Sequence, residues 1–301
     1  MSTAILLMAY GTPDSMNDIE PYLADIRRGR KPTPEAVEDL KRRYLRIGGK
    51  SSLLEITKAQ ASAVEKQLSS RGVSTRVYVG MKHWHPYIRE VVPQIAGDGY
   101  DRIVGLVLAP HYSQMSAGGY EQALHEAVHP WSKLSVDFVE SWYDNPLFHQ
   151  AVKEKISDVL AKFAEPEKAE LLFTAHSLPE RILTMKDPYP TQLASSCSSV
   201  AGLLGRKKWS FAYQSAGQTN EKWLGPDLIE YLRGLNRKDR PAGVLVDPIG
   251  FVADHLEILY DIDVEAQEFA RSIDLELKRT ESLNTSPTFI SALTDIVSKR
   301  V

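Results

Sequence analysis

The stretch LLFTAHSLPERI, residues 171–182, sets the fold class and poses the functional question. Four of its first five residues are apolar, which reads as a buried strand. His176 follows at once, then Ser177 and Leu178, and Pro179 stops the strand from continuing. The pattern occurs twice. LMAYGTP (7–13) and FTAHSLP (173–179) each give an apolar strand, an alanine, one side chain with chemistry, two residues and a proline. LVLAPHYS (106–113) and VLVDPIGF (244–251) pair in the same way. The offsets, 166 and 138 residues, differ, so the reading is a duplicated unit with insertions and deletions. In open α/β sheets ligands bind beyond the carboxyl ends of the strands. Tyr10 and His176 therefore stand where such folds place chemistry.

Working outward, further short apolar runs predict strands at 4–9, 75–79, 103–109, 134–139, 170–175, 210–214, 243–246 and 275–278. Amphipathic stretches lie between them. Val37, Leu40, Tyr44 and Ile47 share a helical face, with Thr33 as N-cap and Pro34 at the first position. Val152, Ile156, Val159, Leu160 and Phe163 do the same after Asn145-Pro146, and Ile290, Leu293 and Val297 after Ser286-Pro287. Strand–helix alternation with apolar strands predicts an α/β chain with mostly parallel sheets.

Composition excludes several classes. The 301 residues carry a net charge of −3, so nothing global points to nucleic acid. No apolar run approaches the ~18 residues needed to span a membrane. MSTAILLMAYGTP at the N-terminus lacks a basic n-region and reads as a first strand, not a leader. The single cysteine, Cys197, has no partner for a disulfide and alone holds neither an iron–sulfur cluster nor a thiolate zinc site. A cytoplasmic location is the expectation. There is no phosphate loop of the G-x-x-x-x-G-K type and no dinucleotide fingerprint.

Two constellations carry chemistry. Glu257, Asp261 and Glu265 are spaced i, i+4, i+8, which lines three carboxylates along an α-helix. Such a line repels itself and asks for cations, and a nearby imidazole shifts the preference toward Fe, Co or Zn. A solvated helix face is the plainer reading of an acidic ladder. Here apolar Phe251, Val252, Leu256, Ile258 and Leu259 flank it, which favours partial burial. The second constellation is basic: Arg27, Arg28, Arg30 and Lys31, then Lys41, Arg42, Arg43, Arg46 and Lys50. Arginine forks bind carboxylates and phosphates bidentately, so the patch suits a poly-anionic ligand. His83 and His85, two apart, share a face if the segment is a strand and lack a third metal ligand. His111 sits at a strand tip, while His125, His129 and His149 read as helix-surface residues. QSAG (214–217) is no hydrolase elbow, since the glycine two before the serine is missing.

The segments MAYGTP, IRRGRKP, RYLRIGG, VLAPHYS, SWYDNP, AHSLPERI, DPYPTQL, WLGPD and PIGFVADHLEILYDIDVEAQ together resemble the ferrochelatases. The likeness runs nearly end to end and is nearest to the short coproporphyrin ferrochelatases of Gram-positive bacteria. It implies two similar Rossmann-like domains, 1–141 plus 279–301 and 142–278, with a porphyrin cleft between them. It implies that His176 and Glu257 face the metal on one side of the macrocycle and that Tyr10 ligates iron from the other. Arg27, Arg43, Tyr44, Ser51 and Tyr120 match positions that contact the porphyrin or its propionates. Asp261 and Glu265 continue the acidic line as an outer metal path. One departure is GKSSL (49–53), where that branch usually reads Gly-x-Ser-Pro-Leu; losing that proline makes the loop less rigid. The animal enzymes carry a hydrophobic membrane lip, whereas residues 14–31 here are charged.

The implied activity is insertion of Fe²⁺, as substrate, into coproporphyrin III to give coprohaem, with no organic cofactor and no iron–sulfur cluster. A monomer without stable membrane association is expected, with a transient handover of product to the next haem-pathway enzyme. His176, with an ordinary pKa near working pH, is the expected proton acceptor. The alternatives are a protoporphyrin IX ferrochelatase, a cobalt chelatase of corrinoid synthesis, and a non-catalytic haem carrier.

Overall fold

A computed structural model of the chain describes residues 2–217, 219–235 and 240–301. The chain divides into two compact units, residues 1–142 with 253–256 and 284–301, and residues 143–252 with 257–283.

The first unit is built on four parallel strands, β1 (Thr3–Ala9), β2 (Val77–Met81), β3 (Arg102–Val107) and β4 (Ser135–Val139), in the order β2-β1-β3-β4. Its helices are α1 (Ile19–Ile26), α2 (Pro34–Arg46), α3 (Leu53–Ser70), α4 (Ile88–Gly97), α5 (Ala117–Val128) and the C-terminal helix Pro287–Ser298. Central strand β1 is apolar and buried from Ala4 to Ala9, as a strand covered on both faces must be. Ala4, Leu6 and Met8 pack with Ile88, Val92, Ile95 and Leu124 from α4 and α5. Each such side chain removed from water contributes roughly 1.5–3 kcal/mol before entropy is charged against it.

The second unit repeats the plan. Strands β5 (Ala169–His176), β6 (Ser210–Gln214), β7 (Gly243–Asp247) and β8 (Leu277–Arg279) are all parallel, in the order β6-β5-β7-β8. Helices α6 (Pro146–Leu160), α7 (Tyr189–Leu203), α8 (Leu228–Gly234) and α9 (Gln267–Ser272) belong to it. β1 and β5 hold the same place in their sheets, as do β3 and β7, which accounts for the first pair of similar strand ends. The register is not identical. Leu7 pairs with Leu106, but Phe173 pairs with Asp247 instead of Val244, so β7 is set three residues further along. That slip buries Asp247 beside Phe173.

Thr33 caps α2 by accepting from Ala36 N, and Pro34 opens the helix. Ile47 is the residue after α2, where Gly48 and Gly49 take positive φ and end the helix. Phe163 lies beyond the end of α6 yet is buried. Three expectations are corrected. His83 and His85 are not on a strand: β2 stops at Met81, and a run of bends with a cis His85–Pro86 peptide follows. His149 is not a surface residue; it is buried in α6, with Nε2 held 2.7 Å from the Tyr143 carbonyl. The acidic ladder does not ride an α-helix. Ile258–Ala266 is a π-helix, closed by wider i→i+5 turns. Ile258, Ile262 and Ala266 all face the core of the second unit, so the four-residue spacing still selects one side of the wider helix.

Candidate active site

The end of β5 delivers His176, and three contacts fix it. Its Nδ1 is hydrogen-bonded to the Ser177 carbonyl, which directs Nε2 the other way. Nε2 lies 3.5 Å from Glu257 Oε1, both side chains being about one-third exposed. The Tyr189 hydroxyl, from the first turn of α7, donates to the His176 carbonyl at 3.0 Å. The rings of Trp223 and Phe251 flank the imidazole at 6.5 and 6.4 Å.

Burial alone lowers the His176 pKa. The charge and hydrogen bond of Glu257, then the Ser177 carbonyl and the charge of Asp261, more than offset it and bring it up to about 9. The imidazole beside Glu257 therefore holds its proton more tightly than an ordinary histidine.

Glu257 stands at the N-terminal end of the π-helix. Its backbone carbonyl accepts from Gln214 Nε2 at 3.3 Å. One turn on, Asp261 is buried and accepts from the Ser215 hydroxyl. Glu265, a further four residues on, is exposed. The ladder thus passes from an exposed carboxylate through a buried one to the His176 partner. Among the described residues no three His, Cys, Asp or Glu side chains are grouped closely enough to hold a metal ion. Glu257 and His176 are brought together, while Asp261 and Glu265 are not joined to them in one ligand cluster.

In the first unit, Tyr10 follows β1 and is 41% exposed, a high value for a tyrosine at the tip of a central strand. Gly11 makes this possible: its φ is +101°, and a Cβ there would lie 2.8 Å from the backbone nitrogen of Trp84. The Tyr10 ring lies 4.6 Å from that of His83, whose Nδ1 is 2.9 Å from Asp25 Oδ2. Arg27 caps α1 two residues after Asp25. Arg27, Arg28 and Arg30 are exposed and form no ion pair with any described residue. Arg43 differs, with Nε 3.0 Å from Asp39 one turn earlier in α2. Tyr44 is buried, its hydroxyl 2.8 Å from that of Thr12. Ser51 is buried and accepts from Leu53 N at 3.3 Å. Tyr120 is buried in α5.

Sequence reading missed Lys82, Tyr189 and Gln214. Lys82 Nζ sits 4.8 Å over the Tyr120 ring. Burial, then repulsion from Arg28, brings its pKa down to about 8. Tyr189 lay within the DPYP segment without a role. Gln214 gave no signal beyond its place at the end of an apolar strand.

Comparison with known proteins decides the family. The family model described as Ferrochelatase matches residues 2–301. The chain belongs to the ferrochelatase family. A Ferrochelatase of Herpetosiphon aurantiacus is 42% identical over 98% of this chain and 98% of its own length. A Coproporphyrin III ferrochelatase of Geobacillus kaustophilus is 42% identical over 99% of this chain and 96% of its own. Among solved structures, SirB from Bacillus subtilis with Fe³⁺ superposes at a TM-score of 0.63, with 11% identity over 99% of this chain and 95% of that one. At such identity it shares the chelatase fold alone. This ferrochelatase relative thus has two similar α/β units, with the His176–Glu257 pair wholly inside the second.

Proposed function

We propose that this chain inserts ferrous iron into coproporphyrin III, giving coprohaem, as a lyase of haem biosynthesis. The observation that carries the reading is the His176–Glu257 pair on a rigid strand tip, in a chain that matches coproporphyrin ferrochelatases over its full length.

Metal insertion exchanges two pyrrole N–H protons for one M²⁺. The barrier lies in exposing the nitrogen lone pairs and stripping water from the metal. Propionate contacts far from the nitrogens supply binding energy that offsets puckering of the ring. Arg27, beside Arg28 and Arg30, grips propionates, and coproporphyrin offers four carboxylates where protoporphyrin offers two. Arg43, Tyr44, Ser51 and Tyr120 complete the contacts to the macrocycle. Tyr10, exposed at its strand tip, ligates the iron in the product.

The imidazolium of His176 must lose its proton before it takes one from a pyrrole. Glu257, 3.5 Å away, is placed to receive it. An arriving dication lowers the proton affinity of the pair, so that the proton passes on from Glu257 to solvent. Asp261 and Glu265 then serve as the outer path, by which hydrated Fe²⁺ enters and protons leave. Fe²⁺ is substrate, and neither an organic cofactor nor an iron–sulfur cluster takes part.

No helix among the described residues is long and apolar enough to cross a membrane. The proposal places the enzyme in the cytoplasm as a monomer that hands coprohaem to the next enzyme. The test is anaerobic insertion, with Fe²⁺ offered coproporphyrin III and protoporphyrin IX in parallel and visible absorption recorded. Multiple turnovers on coproporphyrin are expected. Preference for protoporphyrin would overturn the account of the basic patch. One equivalent bound without turnover would mark a carrier.

A further inference from the structure

We infer that the dipeptide Gln214-Ser215, which closes β6, is the positioning element of the acidic ladder: Gln214 fixes the base of Glu257, and Ser215 fixes Asp261. The inference rests on the chelatase reading above.

Gln214 is 1% exposed and spends three polar groups on neighbouring segments. Its backbone carbonyl accepts from Ser177 N at 2.7 Å, immediately after His176. Its side-chain Oε1 accepts from Thr174 Oγ1 at 2.8 Å, two residues before His176. Its Nε2 donates to the Glu257 carbonyl at 3.3 Å. Gln214 therefore ties both sides of the histidine to the N-cap of the π-helix. A buried amide with these partners cannot swing away without stranding polar groups, which makes the tie stiff.

Ser215 acts on the next carboxylate. Its φ is +60°, a left-handed conformation rare outside glycine, asparagine and aspartate. That turn aims Oγ at Asp261 Oδ2, to which it donates. The last residue of β6 and the one after it thus hold carboxylate-bearing residues four apart, Glu257 at the N-cap of the π-helix and Asp261 within it. A π-helix has no tight i→i+4 ladder to keep its turns in register, so an external clamp is what sets the ladder against the strand tip. Gln214 holds Glu257 by its backbone carbonyl and not by its carboxylate. Gln214 and Ser215 are both positioning residues, since neither touches the reacting atoms.

The test uses the full-length protein and separates KM from kcat. Gln214→Met keeps the side-chain length and removes both side-chain hydrogen bonds. It should lower kcat by about 10- to 100-fold, the scale of a misplacement near 1 Å, with coproporphyrin KM unchanged. Ser215→Ala should raise KM for Fe²⁺ by about tenfold, the loss of one charge-assisted hydrogen bond, with coproporphyrin KM unchanged. Ser215→Gly, which adopts positive φ freely, should match Ser215→Ala if the hydroxyl is what matters. Wild-type behaviour of Ser215→Gly beside an impaired Ser215→Ala would overturn the clamp in favour of backbone geometry. Normal kinetics in both Gln214→Met and Ser215→Ala would also overturn it. Should Gln214→Met melt too early for kinetics, the two Ser215 variants decide the matter. Wild-type protein without turnover would instead sink the chelatase reading, which keeps the two failures apart.

Discussion

His176 Nε2 and Glu257 Oε1 stand 3.5 Å apart, the imidazole fixed by the Ser177 carbonyl on its far side and the glutamate by the start of a π-helix. Burial disfavours a charged imidazole, and the carboxylate reverses that preference. A histidine raised from 6.5 to about 9 on folding contributes stability that is complete below pH 6.5 and is lost as pH rises through about 9. Glu257→Gln removes the charge and leaves the burial. The His176 pKa should then fall from about 9, read from the ¹⁵N shifts of the imidazole in the metal-free protein. A value still near 9 would show that Glu257 is not the cause.

The basic patch separates into two kinds of arginine. Arg27 is exposed and forms no ion pair with a described residue, whereas Arg43 already pairs with Asp39 at 3.0 Å. Arg27→Ala should weaken coproporphyrin III binding by about tenfold at low salt, and the deficit should shrink as ionic strength rises. Arg43→Ala should cost less, because its charge is partly neutralised before the ligand arrives. Fluorescence titration at two salt concentrations reads both. A larger loss from Arg43→Ala would reverse the assignment.

Much of the fold was legible because its signals are local. Apolar runs bounded by Gly and Pro named all eight strands to within about two residues, the usual uncertainty of element ends. The likeness of LMAYGTP to FTAHSLP foretold two similar units, since similar strand ends follow from similar places in a sheet. What escaped depends on packing. The π-helix is invisible in the spacing Glu257, Asp261, Glu265, because residues four apart fall on one side of both helix types. The burial of His149 follows from the Tyr143 carbonyl that receives it, a partner that no periodicity names. Lys82 and Gln214 carry no pattern of their own; their roles come from the Tyr120 ring beneath one and the Glu257 carbonyl beyond the other.

Asp247 gives a pH dependence of opposite sign to that of a carboxylate whose pKa falls on folding. It is 4% exposed, and burial brings its pKa up to about 7 although Thr280 Oγ1 donates to Oδ2 at 2.9 Å and Arg279 opposes the shift. In the unfolded chain it ionises near 3.8. Between those values the native state holds a proton that the unfolded state has released, so this group lowers stability as pH rises from about 4 to 7. Asp247→Asn should remove that component and flatten the urea midpoint across the interval. An unchanged slope would mean that Asp247 is ionised in the native protein.

Gly250 is the closest steric constraint on the catalytic strand tip. Its N–H donates to the Thr174 carbonyl at 3.2 Å, which draws the segment after β7 onto β5. A Cβ at this position would lie 2.6 Å from Ala175 Cβ and 3.0 Å from Ala175 Cα. These are strand atoms beside His176 and cannot swing aside as the end of a long side chain does. Gly250→Ala must therefore displace the strand tip or the segment above it, at a cost of about 1–3 kcal/mol for overpacking. The melting temperature should drop, and kcat should fall further than stability alone explains, because His176 moves relative to Glu257. Ala175→Gly removes the nearer of the two clashing atoms. The double variant should regain part of both losses, a coupling that distant sites do not show. Additive losses in melting temperature and kcat would show that the two residues do not meet, and that the position of His176 is set by its hydrogen bonds alone.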